Sequence, residues 1–344
     1  MKNLFLIFMI ICSTSVVSFA QQPSTKELYD TAKSFMRHGD YDNATLVLNR
    51  ALQQDPNNLD MLKDLALLNY LKRDYSQSID LCKTLIERPD ADEQTFQILG
   101  MDYKDIADNE ESERLYKHAL KKFPSSGVLH NEYGELLATN NKMPDAIVEW
   151  EKGIETDPNY SSNYYNAAMY YNKVSNNPFW TMIYGEIFLN LESYTVRTAD
   201  IKNVVLEAYK KLYTSTDLSK QNNKSPKTSA FQKAVLVTLN SSNSLALEGI
   251  SSDVLYAIRT RFVLEWFGNK LDEKFPFRLF DQWKLLLNEG LYEAYNQWIF
   301  GLAASPAKYQ IWSDVHTAQI ASFKEFQHGR VFKLKTGQYY QNMH

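Results

Sequence analysis

Cysteine is nearly absent from this chain: its 344 residues hold two, Cys12 and Cys82. Only Cys82 lies beyond the first twenty residues, which are read below as a removable leader, so no internal disulfide forms and stability rests on packing. Glycine is scarce too, at 12. The chain contains no HExxH, CxxC, GxSxG, GxGxxG or Walker loop, so nucleotide cradles and nucleophile elbows lack their backbone requirement. No excess of one charge stands out: 37 basic and 41 acidic residues are interspersed for a net charge of -4, and no basic face suited to nucleic acid emerges. The apolar stretch from Leu4 to Cys12 is too short to span a bilayer, and no stop-transfer charges follow it.

That stretch does have the form of an export signal. Lys2 precedes it and Ser18-Phe19-Ala20 closes it in the small-x-small pattern that signal peptidase accepts, so residues 1–20 are expected to be cleaved. Bulky Ile10 and Ile11 ahead of Cys12 argue against a lipoprotein signal. The remaining chain is expected in the periplasm or cell envelope, or secreted, without an integral membrane span. Its 44% hydrophobic and 13% aromatic content is that of a packed protein.

From residue 25 the sequence repeats itself every 34 residues, with units starting at Thr25, Leu59, Glu93, Gly127 and, more loosely, Ser161. Gly39-Asp40-Tyr41-Asp42-Asn43-Ala44, then Leu48, Ala51 and Asp55-Pro56-Asn57-Asn58, closely resembles the second helix and closing turn of a tetratricopeptide-repeat (TPR) unit. Large-small pairs recur as Leu65-Ala66, Leu99-Gly100 and Tyr133-Gly134, and the start of the second helix recurs as Ala44, Ser78, Ser112 and Ala146. The fourth position after that reads Leu48, Cys82, Tyr116 and Trp150, so Cys82 is expected to be a buried structural thiol. The resemblance implies an all-α fold, a superhelix of helix-turn-helix repeats over residues 25–192, four clear and a degenerate fifth, packed against a C-terminal helical bundle.

In the fifth unit Asn177-Pro178 opens a helix that is apolar nearly all round, from Phe179 to Leu191, and therefore expected to be buried on more than one side. Beyond about Ser193 the register fails. Residues 193–328 still read as helices, with stripes at Val204, Val205, Ala208, Leu212 and at Leu255, Ile258, Phe262, Trp266, interrupted by a polar run from Ser215 to Thr228. Ser305-Pro306 opens a final helix toward Phe326, and Val331 to Lys335 alternates as a short strand or extended tail within residues 329–344.

Catalysis is not indicated. Glu325 and His328 have the spacing of half a di-metal helix motif, but the second half is missing, so no metal or other cofactor is expected. Trp266, Trp283, Trp298 and Trp312 are expected mainly as core. In TPR proteins the concave groove is built from the first helices, and the resemblance carries that role to Tyr29, Lys33, Lys63, Leu67, Tyr70, Gln97, Met101, Lys104, Asn131, Glu135, Tyr165 and Met169. Tyrosine and methionine in that set suit adaptable peptide contact. The sequence thus points to a non-catalytic scaffold for a protein or peptide partner. The rival is a small-ligand binder or enzyme with its pocket in the C-terminal helices and the repeats as docking arm. If Ser18 and Ala20 mark a cleavage site, the intact mass of envelope-extracted protein corresponds to a chain starting at Gln21; a soluble cytosolic chain that keeps Met1–Ala20 would refute export.

Overall fold

The computed structural model describes residues 23–215, 217–218 and 229–338. The leader, most of the polar run and residues 339–344 lie outside the described residues. The chain divides into two compact units, Met1–Leu99 and Gly100–His344, with the division inside α5.

Helices α1 (Thr25–Arg37), α2 (Tyr41–Gln54), α3 (Leu59–Leu71), α4 (Tyr75–Ile86) and α5 (Glu93–Asp105) begin the chain. In the first unit Ser24 and Glu27 form a capping box on α1, and Asp40, Asn58 and Asp74 each accept a hydrogen bond from a first-turn N–H of the helix they precede. Ala32, Ala44, Leu48, Ala51, Met61 and Leu68 pack between the helix pairs, and Cys82 is fully buried at its expected position.

The second unit continues with α6 (Asn109–Lys122), α7 (Gly127–Thr139), α8 (Met143–Thr156), α9 (Ser161–Lys173), α10 (Pro178–Leu191) and α11 (Val196–Leu212). The small member of the large-small pairs has a visible cause here: a Cβ on Gly100 would strike the Tyr116 hydroxyl, and one on Gly134 the indole nitrogen of Trp150. Between the two helices of each repeat one residue turns left-handed, at Gly39, Arg73, Ala107, Asn141 and Asn176. Only the first is glycine, so the other four hold a conformation that costs an L-residue roughly 1–2 kcal/mol. The interval is 34 residues until Asn176, which comes after 35. One extra residue in that turn moves everything downstream out of register. Helix α11 accordingly begins 35 residues after α9 and stacks on α9 and α10 as a further first helix would. The loss of register near Ser193 thus reflects a one-residue insertion, across which α11 still packs on α9 and α10.

The remaining helices are α12 (Ala230–Asn240), α13 (Ser252–Gly268), α14 (Leu271–Lys274), α15 (Arg278–Asn288), α16 (Tyr292–Asn296), a π-turn at Gln297–Gly301, α17 (Leu302–Ala304), α18 (Pro306–Val315) and α19 (Thr317–Gly329). The single final helix expected after Pro306 is two helices broken at His316, whose ring stacks on Trp312. Residues 331–335 form no strand. They bury Phe332 and Leu334, and the Asn159 amide pairs with both the N–H and the carbonyl of Leu334.

Helix α10 is buried from Phe179 to Leu189, as its all-round apolarity implies. Its one charged residue, Glu186, is 0% exposed, and so is its partner Arg259 on α13. The same Glu186 oxygen accepts from Trp283 Nε1 at 2.7 Å and from the Tyr295 hydroxyl at 2.8 Å, while Arg259 also donates to Asn296 Oδ1 at 2.7 Å. The Arg259 guanidinium lies 4.4 Å from the Trp283 ring centroid and 5.1 Å from that of Phe300. Burial pushes the Glu186 carboxyl up, and Arg259 with the two ring donors pulls against it. For Arg259 burial opposes the charge, but Glu186 outweighs it and the guanidinium is held above its ordinary value. Losing one partner leaves the other charge buried and alone, at a cost of about 3–5 kcal/mol. Arg259→Met and Glu186→Leu should therefore each depress the melting temperature strongly, and the double variant should regain much of the loss. Strictly additive losses in calorimetry would show that the pair is uncoupled.

Candidate functional site

In the first unit the face assigned to recognition is largely engaged with itself. The Tyr29 hydroxyl donates to Asp64 Oδ2 at 2.9 Å, and the Lys33 ammonium lies 4.3 Å from the Tyr29 ring centroid. Burial and then Asp64 push the Tyr29 hydroxyl pKa up, and burial raises Asp64 in turn. Lys63 departs from the expectation of a solvent-facing cation: it is 5% exposed and paired with Asp60 at 2.9 Å and Asp92 at 2.5 Å. Burial opposes its charge, but Asp92 and Asp60 outweigh that and hold the amine above its ordinary pKa. Leu67, Tyr70 and Gln97 are half-buried, with the Tyr70 ring 5.9 Å from that of Tyr75.

In the second unit Lys104 is exposed and approaches Glu135 Oε2 at 3.4 Å. The other Glu135 oxygen accepts from Asn131 Nδ2 at 3.1 Å and Asn166 Nδ2 at 3.3 Å, and Asn166 also donates to Asn131 Oδ1 at 2.9 Å. Asn131 is 3% exposed, so it organises Glu135 from beneath and is not open to a partner. Burial, and then the nearby Glu135 charge, raise the neighbouring Glu132 carboxyl. Tyr165 is half-buried with its ring 5.2 Å from Phe188 and 5.1 Å from the Arg197 guanidinium. Arg197 in turn donates to Ser162 Oγ at 3.1 Å and is held by Glu192 at 2.5 Å. Met101 and Met169 are half-buried.

Asp64, Asn166 and Arg197 were missed by assigning roles helix by helix. A spacing signal did exist: Tyr29 and Asp64, Asn131 and Asn166, Ser162 and Arg197 are each 35 residues apart, which is one repeat plus one residue for the first two pairs and the full α9-to-α11 interval for the third. Successive first helices bring such positions together. The third pair, across α9 and α11, also shows that α11 occupies a repeat position.

The face offers hydrogen-bonding groups, a cation and apolar edges. His130 meets Glu149 at one ring nitrogen (2.8 Å) and the Pro124 carbonyl at the other (3.2 Å), so both nitrogens are engaged within the fold. Among the described residues no three or more His, Cys, Asp or Glu side chains converge as metal ligands, and no helix is long and apolar enough to cross a membrane. Glu325 is exposed, and His328 stacks on Tyr194 at 5.3 Å.

A tetratricopeptide-repeat family model matches residues 29–93 and 99–161. The chain carries a tetratricopeptide-repeat array. It is similar to TTC0263, a thermophilic TPR protein of Thermus thermophilus, at 16% identity and a TM-score of 0.43, over 54% of this chain and 99% of that one. It is also similar to MamA of Desulfovibrio magneticus RS-1, at 14% and 0.39 over 49% and 93%, and to YrrB, described as a TPR protein with an unusual peptide-binding site, at 14% and 0.37 over 52% and 92%. No curated protein matches the chain.

A strongly perturbed carboxyl lies off this face, on α8. Glu151 accepts from the Tyr171 hydroxyl at 2.7 Å and the Tyr184 hydroxyl at 3.3 Å, and burial pushes its pKa from 4.5 to about 7. The folded state thus holds a proton that the unfolded chain releases near pH 4.5, and stability should fall as pH rises from about 4.5 to about 7, by at most roughly 3 kcal/mol. Glu151→Gln should flatten that slope and stabilise the protein at about pH 8 relative to wild type. An unchanged slope in denaturation midpoints against pH would assign the titration elsewhere.

Proposed function

We propose that this protein is a non-catalytic scaffold of the bacterial cell envelope that holds a peptide or protein partner on the first-helix faces of its repeats. The observation that carries the reading is the ordered network from Lys104 through Glu135 and Asn131 to Asn166, flanked by Met101, Tyr165 and Met169. The large-small pairs and second-helix residues already fill the space between helices, so folding by packing does not call for this polar surface. A fixed carboxylate, an exposed ammonium and polarisable side chains together suit main-chain and side-chain contact with an extended or helical peptide. Export rests on residues 1–20, and tetratricopeptide architecture favours protein partners over small substrates.

Photocrosslinking in cells tests the reading. A benzoylphenylalanine at Lys104 or Met169 should give discrete protein adducts, whereas the same group at Val148, 47% exposed on the second helix α8, should give none. Adducts at Val148 alone would move recognition to the opposite face.

A further inference from the structure

Helix α11 carries a cation with no counter-charge among the described residues. The Lys202 ammonium lies 4.1 Å from the ring centroid of Trp298 in the π-turn Gln297–Gly301, beside an open cavity of about 400 Å³. The acidic groups nearby on its own helix are occupied or exposed: Glu207 pairs with Lys210 at 2.8 Å, and Asp200 is exposed. Glu192, just before α11, is held by Arg197 at 2.5 Å. The π-turn and α17 bring Gln297 to Ala304, with no acidic side chain among them. Burial alone acts on the amine and lowers its pKa to about 8.

The hydroxyls around the cavity are already engaged: Ser193 with the Leu189 carbonyl, Thr195 with the Glu192 carboxylate, Thr198 with the Glu192 carbonyl, and Tyr194 with Gln327 at 2.6 Å, while the Asn203 amide donates to the Ala199 carbonyl. Much of the remaining wall is apolar, from Ala199, Trp298, Leu302 and Ala303. A single desolvated cation is balanced by a single negative charge, and a dianion would leave excess charge against that wall. A flat apolar body is what the indole and the Leu302 side would cover. We propose that this cavity binds a small monocarboxylate with a flat apolar body, its carboxylate on Lys202 and its body against Trp298. The site is separate from the repeat face and does not depend on the scaffold reading.

Calorimetric titration of the full chain with indole-3-acetate, its neutral amide indole-3-acetamide and inorganic phosphate tests this. The acetate should saturate the protein at roughly millimolar concentration or below, the amide should bind about tenfold or more weakly, and phosphate should not compete. Affinity should fall as pH rises well above about 8, where the amine loses its proton. Lys202→Met should weaken the acetate about tenfold or more with unchanged helicity, and Ala303→Trp, which keeps the lysine but fills the cavity, should do the same and decides the matter should the first variant fail to fold. Equal binding of acetate and amide, competition by phosphate, full binding by either folded variant, or no saturation by on the order of 10 mM acetate would each overturn the assignment.

Discussion

A carboxylate set in the middle of an apolar helix has to be answered by a cation, and the second unit is built around that demand. Glu186 stands on α10, which has no solvent face, and receives Arg259 from α13, Trp283 from α15 and Tyr295 from α16. Each of those helices is thereby fixed against the last repeat by a directional contact, whereas apolar packing alone would tolerate sliding. The demand propagates further. Asn296, which accepts from Arg259, stands just before the π-turn that carries Trp298 and Phe300, so the irregular turn sits where the polar cluster meets the helix it interrupts. The Tyr295 hydroxyl passes the network back to α10 by accepting from Asn190 at 2.7 Å.

The repeats obey a plainer constraint. A helix pair cannot cover its own apolar face, and close stacking demands a small residue wherever the next ring enters, as Gly100 does for Tyr116 and Gly134 for Trp150. The left-handed turn residues pull the other way, since Arg73, Ala107, Asn141 and Asn176 hold a conformation that glycine adopts at least cost. Stacking evidently supplies enough stability to retain them. The extra residue before Asn176 changes the sequence period but not the stacking, because a turn absorbs an insertion that a packed helix would transmit.

These constraints leave two unlike surfaces in the second unit. On the first-helix face, polar side chains hold one another in place: Asn131 and Asn166 fix Glu135, and Glu192 fixes Arg197 beside Tyr165. Pre-ordering of this kind lowers the entropy lost when a partner docks. Beside the π-turn, Lys202 is held in place yet has no counter-charge among the described residues, which is the opposite condition. An ordered network favours broad contact with a chain, whereas a lone cation in an apolar recess favours one small anion.

Helix placement was legible in the sequence because repeat spacing, caps and apolar periodicity are local: Asn177-Pro178 and Ser305-Pro306 mark helix starts in the linear order. So was the burial of Cys82 and of α10, which follows from where a side chain falls on its own helix. The burial of Lys63 and Asn131 was not legible, since it depends on Asp92 and Asn166 arriving from the next repeat. The packing of α11 on α9 and α10 was not legible either, because a fixed 34-residue period loses its register at a single inserted residue whereas stacking does not. The pairing of Glu186 with Arg259, 73 residues on, and of Lys202 with Trp298 belongs wholly to tertiary structure. Charge and aromaticity are written in the chain, but their desolvation and their partners exist only once distant helices meet.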